Sequence, residues 1–272
     1  MALTVVKMDK GHEKMFLDHV TKDPSDYFLF ILDWKKDRKS SKFFLALENG
    51  KIAGILLIYK KVIAQFRGSN RALKALVGRI RFKEGELVVP VGAEDVILKA
   101  FSPVRKKEMH LLRLSKGGED LATEPSPVKL ATRDAKDVAG LMRAADPKMW
   151  SEQTTGNIKR SMQRSVWIGI RSDGKLAAVG MARVGDQNAM IHTIATAKRY
   201  RNRGFATAVV SALVTEMFKD VDEGLIHVFK ANGPAYHVYR KVGFRPYKRY
   251  IYIKGRKRAQ IKGSGNKRTK SK

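Results

Sequence analysis

The chain of 272 residues contains no cysteine, and its acidic residues are few: 26 Asp and Glu stand against 55 Lys and Arg. The absence of cysteine excludes disulfides, thiolate metal sites and a cysteine-bound acyl intermediate. No apolar run approaches the ~20 residues that a membrane span needs, and the first residues lack the layout of a signal peptide. The sequence therefore predicts a cytoplasmic protein that does not insert into membranes.

The excess of basic residues gives a net charge of +29. Residues 254–272 hold nine basic residues and no acid, and without them the net charge is still +20. Affinity for nucleic acid or another acidic partner explains such a charge, and so does simple solubility. We expect residues 255–272 to form a basic, disordered tail.

The length suits two domains, and a segment rich in Gly, Pro and small polar residues at 116–127 is typical of a linker. We therefore predict domains at 1–115 and 128–254. Each has the same order of elements: strand, helices, three strands, helix, strand, helix, strand. The Asn-Gly pair at 49–50 and the Asp-Gly pair at 173–174 indicate matching hairpin turns, so an internal duplication is expected. The patterns place the final strands at 109–114 and 250–254, and one helix over 149–164.

The stretch Ile194–Thr207, IATAKRYRNRGFAT, predicts a strand, a basic loop and the start of a helix at Gly204. The first turn of a helix has N–H groups without intrahelical partners, which makes it an anion site. Gly204 leaves room for a close approach to the backbone, and Arg201 and Arg203 can donate charge-assisted hydrogen bonds. The pattern favours a pyrophosphate, although a solvated basic loop explains it as well.

This loop resembles the pyrophosphate motif of the GNAT superfamily of acyl-CoA-dependent N-acetyltransferases, in which Arg or Gln, two residues, Gly, one residue and then Gly or Ala follow one another. Here the motif is RNRGFA at 201–206. The segment VFKANGPA at 228–235 is similar to the family's second block, and YRKVGF at 239–244 to its closing Tyr-x-x-x-Gly-Phe. The resemblance covers roughly residues 128–254.

The resemblance implies tandem GNAT-like domains of α/β (α+β) class, each a mixed, mostly antiparallel sheet flanked by helices, and transfer of an acetyl group from acetyl-CoA directly to an amine. Its central strands would part to admit pantetheine, whose amides would pair with the main chain of Ile194 and Thr196. Tyr239 would be the general acid that protonates the leaving thiolate. The residues implied in cofactor binding are Ile194, Ala195, Thr196, Arg201, Asn202, Arg203, Gly204, Phe205, Ala206, Thr207, Asn232 and Tyr239.

The general base is left open by the sequence. Many relatives carry a carboxylate on the strand before the phosphate loop, but residues 189–196 contain none. His192 on that strand, Glu152 in the preceding helical region and a water relay are the alternatives. No cluster of metal-ligating residues is apparent, so no metal is expected.

The first half lacks these motifs. Where the phosphate loop would lie it reads FRGSNR at 66–71, which breaks the Arg-x-x-Gly-x-Ala pattern. We therefore expect a degenerate GNAT-like domain without cofactor binding, which shapes the acceptor site or recognises a partner. The competing interpretation is a nucleic-acid-associated protein that keeps an acetyl-CoA-binding fold.

Overall fold

Twelve strands form one mixed, mostly antiparallel sheet, in a computed structural model that describes residues 3–259. Most of its pairs are antiparallel, and β4–β5 and β10–β11 are parallel. The elements of the first half are β1 (Leu3–Lys7), α1 (Glu13–Val20), α2 (Phe28–Lys36), β2 (Ser41–Glu48), β3 (Lys51–Tyr59), β4 (Ile63–Gly68), α3 (Asn70–Val77), β5 (Glu84–Pro90), α4 (Glu94–Ala100) and β6 (Phe101–Ser115).

The second half repeats this order, as the predicted duplication requires. Its elements are β7 (Val128–Lys129), α5 (Ala135–Ala145), α6 (Pro147–Trp150), α7 (Thr155–Met162), β8 (Val166–Ser172), β9 (Lys175–Val184), β10 (Asn188–Thr196), α8 (Phe205–Met217), β11 (Glu223–Phe229), α9 (Gly233–Val242) and β12 (Arg245–Lys257). Among the described residues, no helix is long and apolar enough to cross a membrane.

The two halves exchange their last strands. The strand order is β1-β2-β3-β4-β5-β12-β6-β11-β10-β9-β8-β7, so β12 lies between β5 and β6. The last strand of the second half thus completes the sheet of the first, and β6 pairs with β11 of the second half. A boundary at 116–127 divides the chain but not the sheet.

Helix α2 packs between the two halves. Its Phe28 and Leu32 share an apolar cluster with Met190 of β10, Leu225 of β11 and Tyr250 of β12. On the opposite face, α8 lies in the main core of the second half, and residues on several of its sides are buried there. These contacts fix α2 of the first half against the strands of the second.

Three predictions need correction. The helix expected over 149–164 is two helices, because Thr154 accepts a hydrogen bond from the Asn157 N–H and begins α7 separately. Strands β6 and β12 are far longer than expected, since each has a partner on both sides. Strand β12 therefore includes Gly255–Lys257, which the sequence assigned to the tail. Residues 260–272 of that predicted tail lie outside the described residues.

Candidate functional site

Strands β10 and β11 part in the middle of the sheet. Their parallel pairing runs from Asn188 and Glu223 to Ile191 and Ile226 and then ends, whereas β11 continues to pair with β6. A β-bulge falls at the same point, between Ile191 and Thr193 on β10. A bulge bends the strand that carries it, which here accompanies the separation of β10 from β11.

The freed edge of β10 presents backbone groups to the opening. The Ala197 N–H donates to the Ala177 carbonyl at 2.9 Å, which fixes the alternation of the ladder with β9. Ile194 and Thr196 are out of phase with Ala197, so their N–H and C=O groups point away from β9. An extended ligand with amide groups could add there like another strand.

One polar atom at this place lacks a partner. The buried hydroxyl oxygen of Thr196 makes no hydrogen bond within the described part of the chain. Buried polar groups normally have a partner, so an unpaired hydroxyl at the end of the freed edge fits a site that a polar ligand completes.

The loop after β10 has the geometry of an anion site. Asn202 and Gly204 adopt positive φ angles of 59° and 78°, and α8 begins at Phe205. A β-carbon placed on Gly204 would come no nearer to other protein atoms than 4.0 Å, from Pro125, so the space above this glycine is open. The first-turn N–H groups of a 13-residue helix therefore face an accessible, basic loop.

The two arginines of the loop have different surroundings. The Arg201 guanidinium donates to the carbonyls of Ala145, at 2.9 Å, and Thr196, at 3.4 Å, so this side chain ties the loop to α5 and β10. Arg203 is exposed and lies beside the rings of Tyr200 and Phe205. Arg203 is consequently the better placed of the two to meet a phosphate.

The corresponding place in the first half cannot form such a loop. Only Ser69 separates β4 from α3, whereas residues 197–204 separate β10 from α8. Ser69 caps α3 through the Ala72 N–H, and a β-carbon on Gly68 would lie 2.4 Å from the Ala53 carbonyl oxygen. This short, closed connection does not repeat the open loop that follows β10.

Helix α9 carries Asn232 and Tyr239. The Asn232 side chain accepts a hydrogen bond from the Ala235 N–H at 3.3 Å and caps the helix. Tyr239 is 7% exposed, and burial raises the pKa of its phenol, which therefore stays protonated and able to donate. Gly243 ends the helix at φ 112°, where a β-carbon would lie 2.3 Å from the Gly118 carbonyl oxygen. The closing motif thus forms a helix end that only glycine fits.

A pocket of about 540 Å³ lies between the two halves, on the face where α2 packs. Neighbouring residues of a strand normally face opposite sides of the sheet. The bulge interrupts this alternation, so both His192 and Thr193 of β10 line the pocket. The second half also contributes Trp167 and α7, and the first half contributes α2 and the β3–β4 turn. The predicted base candidate His192 therefore faces a cavity, whereas Glu152 lies exposed outside the residues that line it.

His192 is a neutral imidazole in this setting. Desolvation by the surrounding protein, and next the charge of Arg183, lower the pKa of His192 to about 4. The side chain lines the open pocket and is exposed to solvent there. A histidine with a lowered pKa is available to accept a proton at neutral pH but is a weak base.

Sequence reasoning missed two carboxylates that line the pocket, Asp33 and Asp37 of the first half. Asp37 is paired with Arg183, at 2.7 Å, and Arg164, at 3.2 Å. Asp33 is 5% exposed, and burial raises its pKa to about 6. No motif marks these residues, because only the packing of α2 against the second half brings them to the site.

Comparisons with known proteins agree with this geometry. Residues 135–244 match the sequence profile of the acetyltransferase (GNAT) family, which covers less than half of the chain. A search of curated protein sequences gives no significant match.

Solved structures show the same fold over much more of the chain. A Drosophila protein is 13% identical, with a TM-score of 0.71 over 92% of this chain and 98% of its own. A tandem GNAT protein from the clavulanic acid biosynthesis pathway is 15% identical, with a TM-score of 0.56 over 92% and 97%. A GNAT acetyltransferase structure from Novosphingobium aromaticivorans is 21% identical, with a TM-score of 0.56 over 75% and 89%. Residues 135–244 therefore form a domain of the GNAT acetyltransferase family, within a chain that has a tandem GNAT-like fold.

Proposed function

We propose that the protein transfers an acetyl group from acetyl-CoA to an amine, with one acetyl-CoA site per chain. The observation that carries this proposal is the parting of β10 and β11 directly before an open phosphate loop. The freed main-chain groups of Ile194 and the N–H of Thr196, whose carbonyl accepts from Arg201, would pair with the pantetheine amides. The N–H groups of residues 203–207 and the Arg203 side chain would hold the pyrophosphate.

Acetyl-CoA supplies the activated acetyl group, and the residues of this chain supply position and protons. The chain has no cysteine, so the acetyl group passes straight to the amine without a cysteine acyl-enzyme. Tyr239, which is buried and protonated, gives its phenolic proton to the departing CoA thiolate. The acceptor enters through the pocket lined by His192 and Thr193.

The test is an acceptor screen with the full chain, read as release of free CoA. Small amines, polyamines, amino acids and basic peptides form the panel. We expect at least one amine to raise CoA release above the rate of hydrolysis, with a matching mass gain of one acetyl group. A protein that fails to bind acetyl-CoA by calorimetry would overturn the proposal.

Gly204→Asp is the variant that connects this activity to the loop, since it places bulk and negative charge where the phosphates would lie. Gly50→Asp is its matched control. Gly50 has a φ of 71° and open space around it, but lies in the β2–β3 turn of the first half. The two substitutions impose similar backbone strain, so only Gly204→Asp should weaken acetyl-CoA binding.

A further inference from the structure

The pocket between the halves contains two carboxylates, Asp33 and Asp37, that the proposed function does not explain. Both are nearly buried in the wall contributed by α2, and Lys60, Arg160, Arg164 and Arg183 line the same pocket. Asp37 is neutralised by two arginines. Asp33 has no ion pair within the described residues, and the Ser41 hydroxyl donates a hydrogen bond to it at 2.9 Å.

A buried carboxylate without a cation is costly unless something neutralises it. Asp26, another carboxylate between the halves, has such a neutralising partner. It forms an ion pair with the buried Arg67 guanidinium at 2.5 Å and accepts a hydrogen bond from the Tyr250 hydroxyl. Asp33 has no such partner, and it faces the same cavity as His192. Lys60 and Arg183 line the same pocket, but neither forms an ion pair with Asp33 in the described structure, so this carboxylate can still take a cationic partner from the cavity.

We propose that Asp33 binds the ammonium group of the acceptor and receives its proton, so that the first half completes the acceptor site. This inference rests on the proposed acetyl transfer and assigns its acceptor to primary amines that arrive in the cationic form. It also gives the first half, which has no phosphate cradle, a direct part in the reaction.

The protons balance as follows. One N–H proton of the ammonium moves to the Asp33 carboxylate, and the freed lone pair forms a bond to the thioester carbonyl carbon. The carbon–sulfur bond breaks, and the sulfur takes the Tyr239 proton. The second nitrogen proton lost on amide formation returns to Tyr239, and the proton on Asp33 passes to solvent. The products are an acetamide, free CoA and one released proton.

Asp33 is better suited than His192 to this task. His192 carries no charge at neutral pH and so does not attract an ammonium group. The carboxylate does, and the groups around it set its protonation. Burial and the neighbouring Asp37 raise its pKa, while the Ser41 hydroxyl, Arg183 and Lys60 lower it. A base with a pKa near 6 is ionised at neutral pH and still holds a proton better than an ordinary aspartate.

The experiment uses the full chain, acetyl-CoA and n-butylamine as the probe acceptor, and compares wild type with Asp33→Asn. For wild type, we expect kcat/KM for butylamine to rise with pH and to level off above about pH 6. For Asp33→Asn, we expect kcat/KM to fall on the order of 100-fold and to lose this rise with pH. The Kd for acetyl-CoA should be unchanged. Asp18→Asn, an exposed site on α1, is the matched control and should behave as wild type.

Melting temperature separates this role from a structural one. Removal of a buried, unpaired charge should leave the melting temperature at pH 8 unchanged or raised, whereas loss of a structural contact would lower it. An Asp33→Asn variant that keeps both its activity and the rise with pH would overturn the assignment and leave the acetyl transfer intact. A wild type that binds acetyl-CoA but releases no CoA with butylamine would also count against Asp33. A wild type without acetyl-CoA binding would instead contradict the proposed function.

Discussion

Ile191 and Ile226 are the last paired residues of two parallel strands, and beyond this pair the sheet opens. His192 and His227 occupy the next positions on the two sides of the opening. The Nε2 atom of His227 is buried and has no hydrogen-bond partner among the described residues. The opening is thus framed by two imidazoles, and burial lowers the pKa of each.

The described residues of the first half contain no loop like the one between β10 and α8, so we expect one acetyl-CoA per chain. Isothermal titration calorimetry of the full chain measures the stoichiometry directly. Two equal sites would contradict the conclusion that the single residue between β4 and α3 is too short a connection to hold a pyrophosphate.

Gly204→Asp should weaken acetyl-CoA binding by more than tenfold, about 1.4 kcal/mol, because the new carboxylate repels the phosphates and the residue resists a φ of 78°. Gly50→Asp, with its φ of 71°, controls for the backbone strain. Equal affinity in the two variants would remove the loop from the binding site.

Much of this architecture could be predicted from the sequence, because hairpin turns such as Asn49-Gly50 and the periodicity of the helices are local signals. The basic loop after β10 and the helix that begins directly after Gly204 could be predicted for the same reason. The exchange of β6 and β12 could not, since nothing in either strand specifies a partner that lies far away along the chain. Asp33 could not be predicted as a site residue either, because it is an ordinary helix residue until α2 packs against the second half.

Tyr239→Phe should lower kcat by about 100-fold and leave the affinity for acetyl-CoA nearly unchanged. The phenol oxygen is the only group removed, and the ring can keep its contact with Phe244. Tyr236→Phe, on the same helix, is the control. Unchanged kcat in an assay limited by the chemical step would mean that another group, such as water, protonates the thiolate.

The pH dependence of stability should differ between wild type and Asp33→Asn. The folded pKa of Asp33, about 6, exceeds its ordinary value of 3.8. The folded state therefore binds the extra proton, and this group stabilises the protein below pH 4 and loses that contribution as pH rises through 6. The shift corresponds to an upper limit of about 3 kcal/mol.

Urea unfolding of both proteins at pH 4.5 and pH 8 tests this sign. Relative to wild type, the Asp33→Asn variant should become more stable as pH rises from 4.5 to 8. The lowered pKa values of His192 and His227 make both proteins more stable as pH rises in this range. Both proteins contain these histidines, so their contributions cancel in the difference. A difference that does not depend on pH would show that Asp33 is not desolvated.

Removal of β12 should destabilise both halves together. A chain that ends at Phe244 loses the pairing of β12 with β5 and β6, and with it the buried Tyr250 and Ile253. Burial of each such side chain contributes on the order of 2 kcal/mol. Thermal unfolding compared with a chain that ends at residue 259 should show a lower midpoint for the whole protein. A first half that retains its own unchanged transition would contradict the shared sheet.

The position of β12 also has a consequence for the order in which the protein acquires its structure during synthesis. The first half leaves the ribosome early but cannot close its sheet, because β12, which belongs beside β5, follows all the other strands of the sheet along the chain. Until then the inner edge of β5 stays open to other strands, which is a hazard for aggregation. The contacts between β12 and β5 join residues far apart in sequence, and such contacts slow folding. Slow, late closure is therefore the expected folding behaviour of this chain, and the two halves cannot mature as independent units.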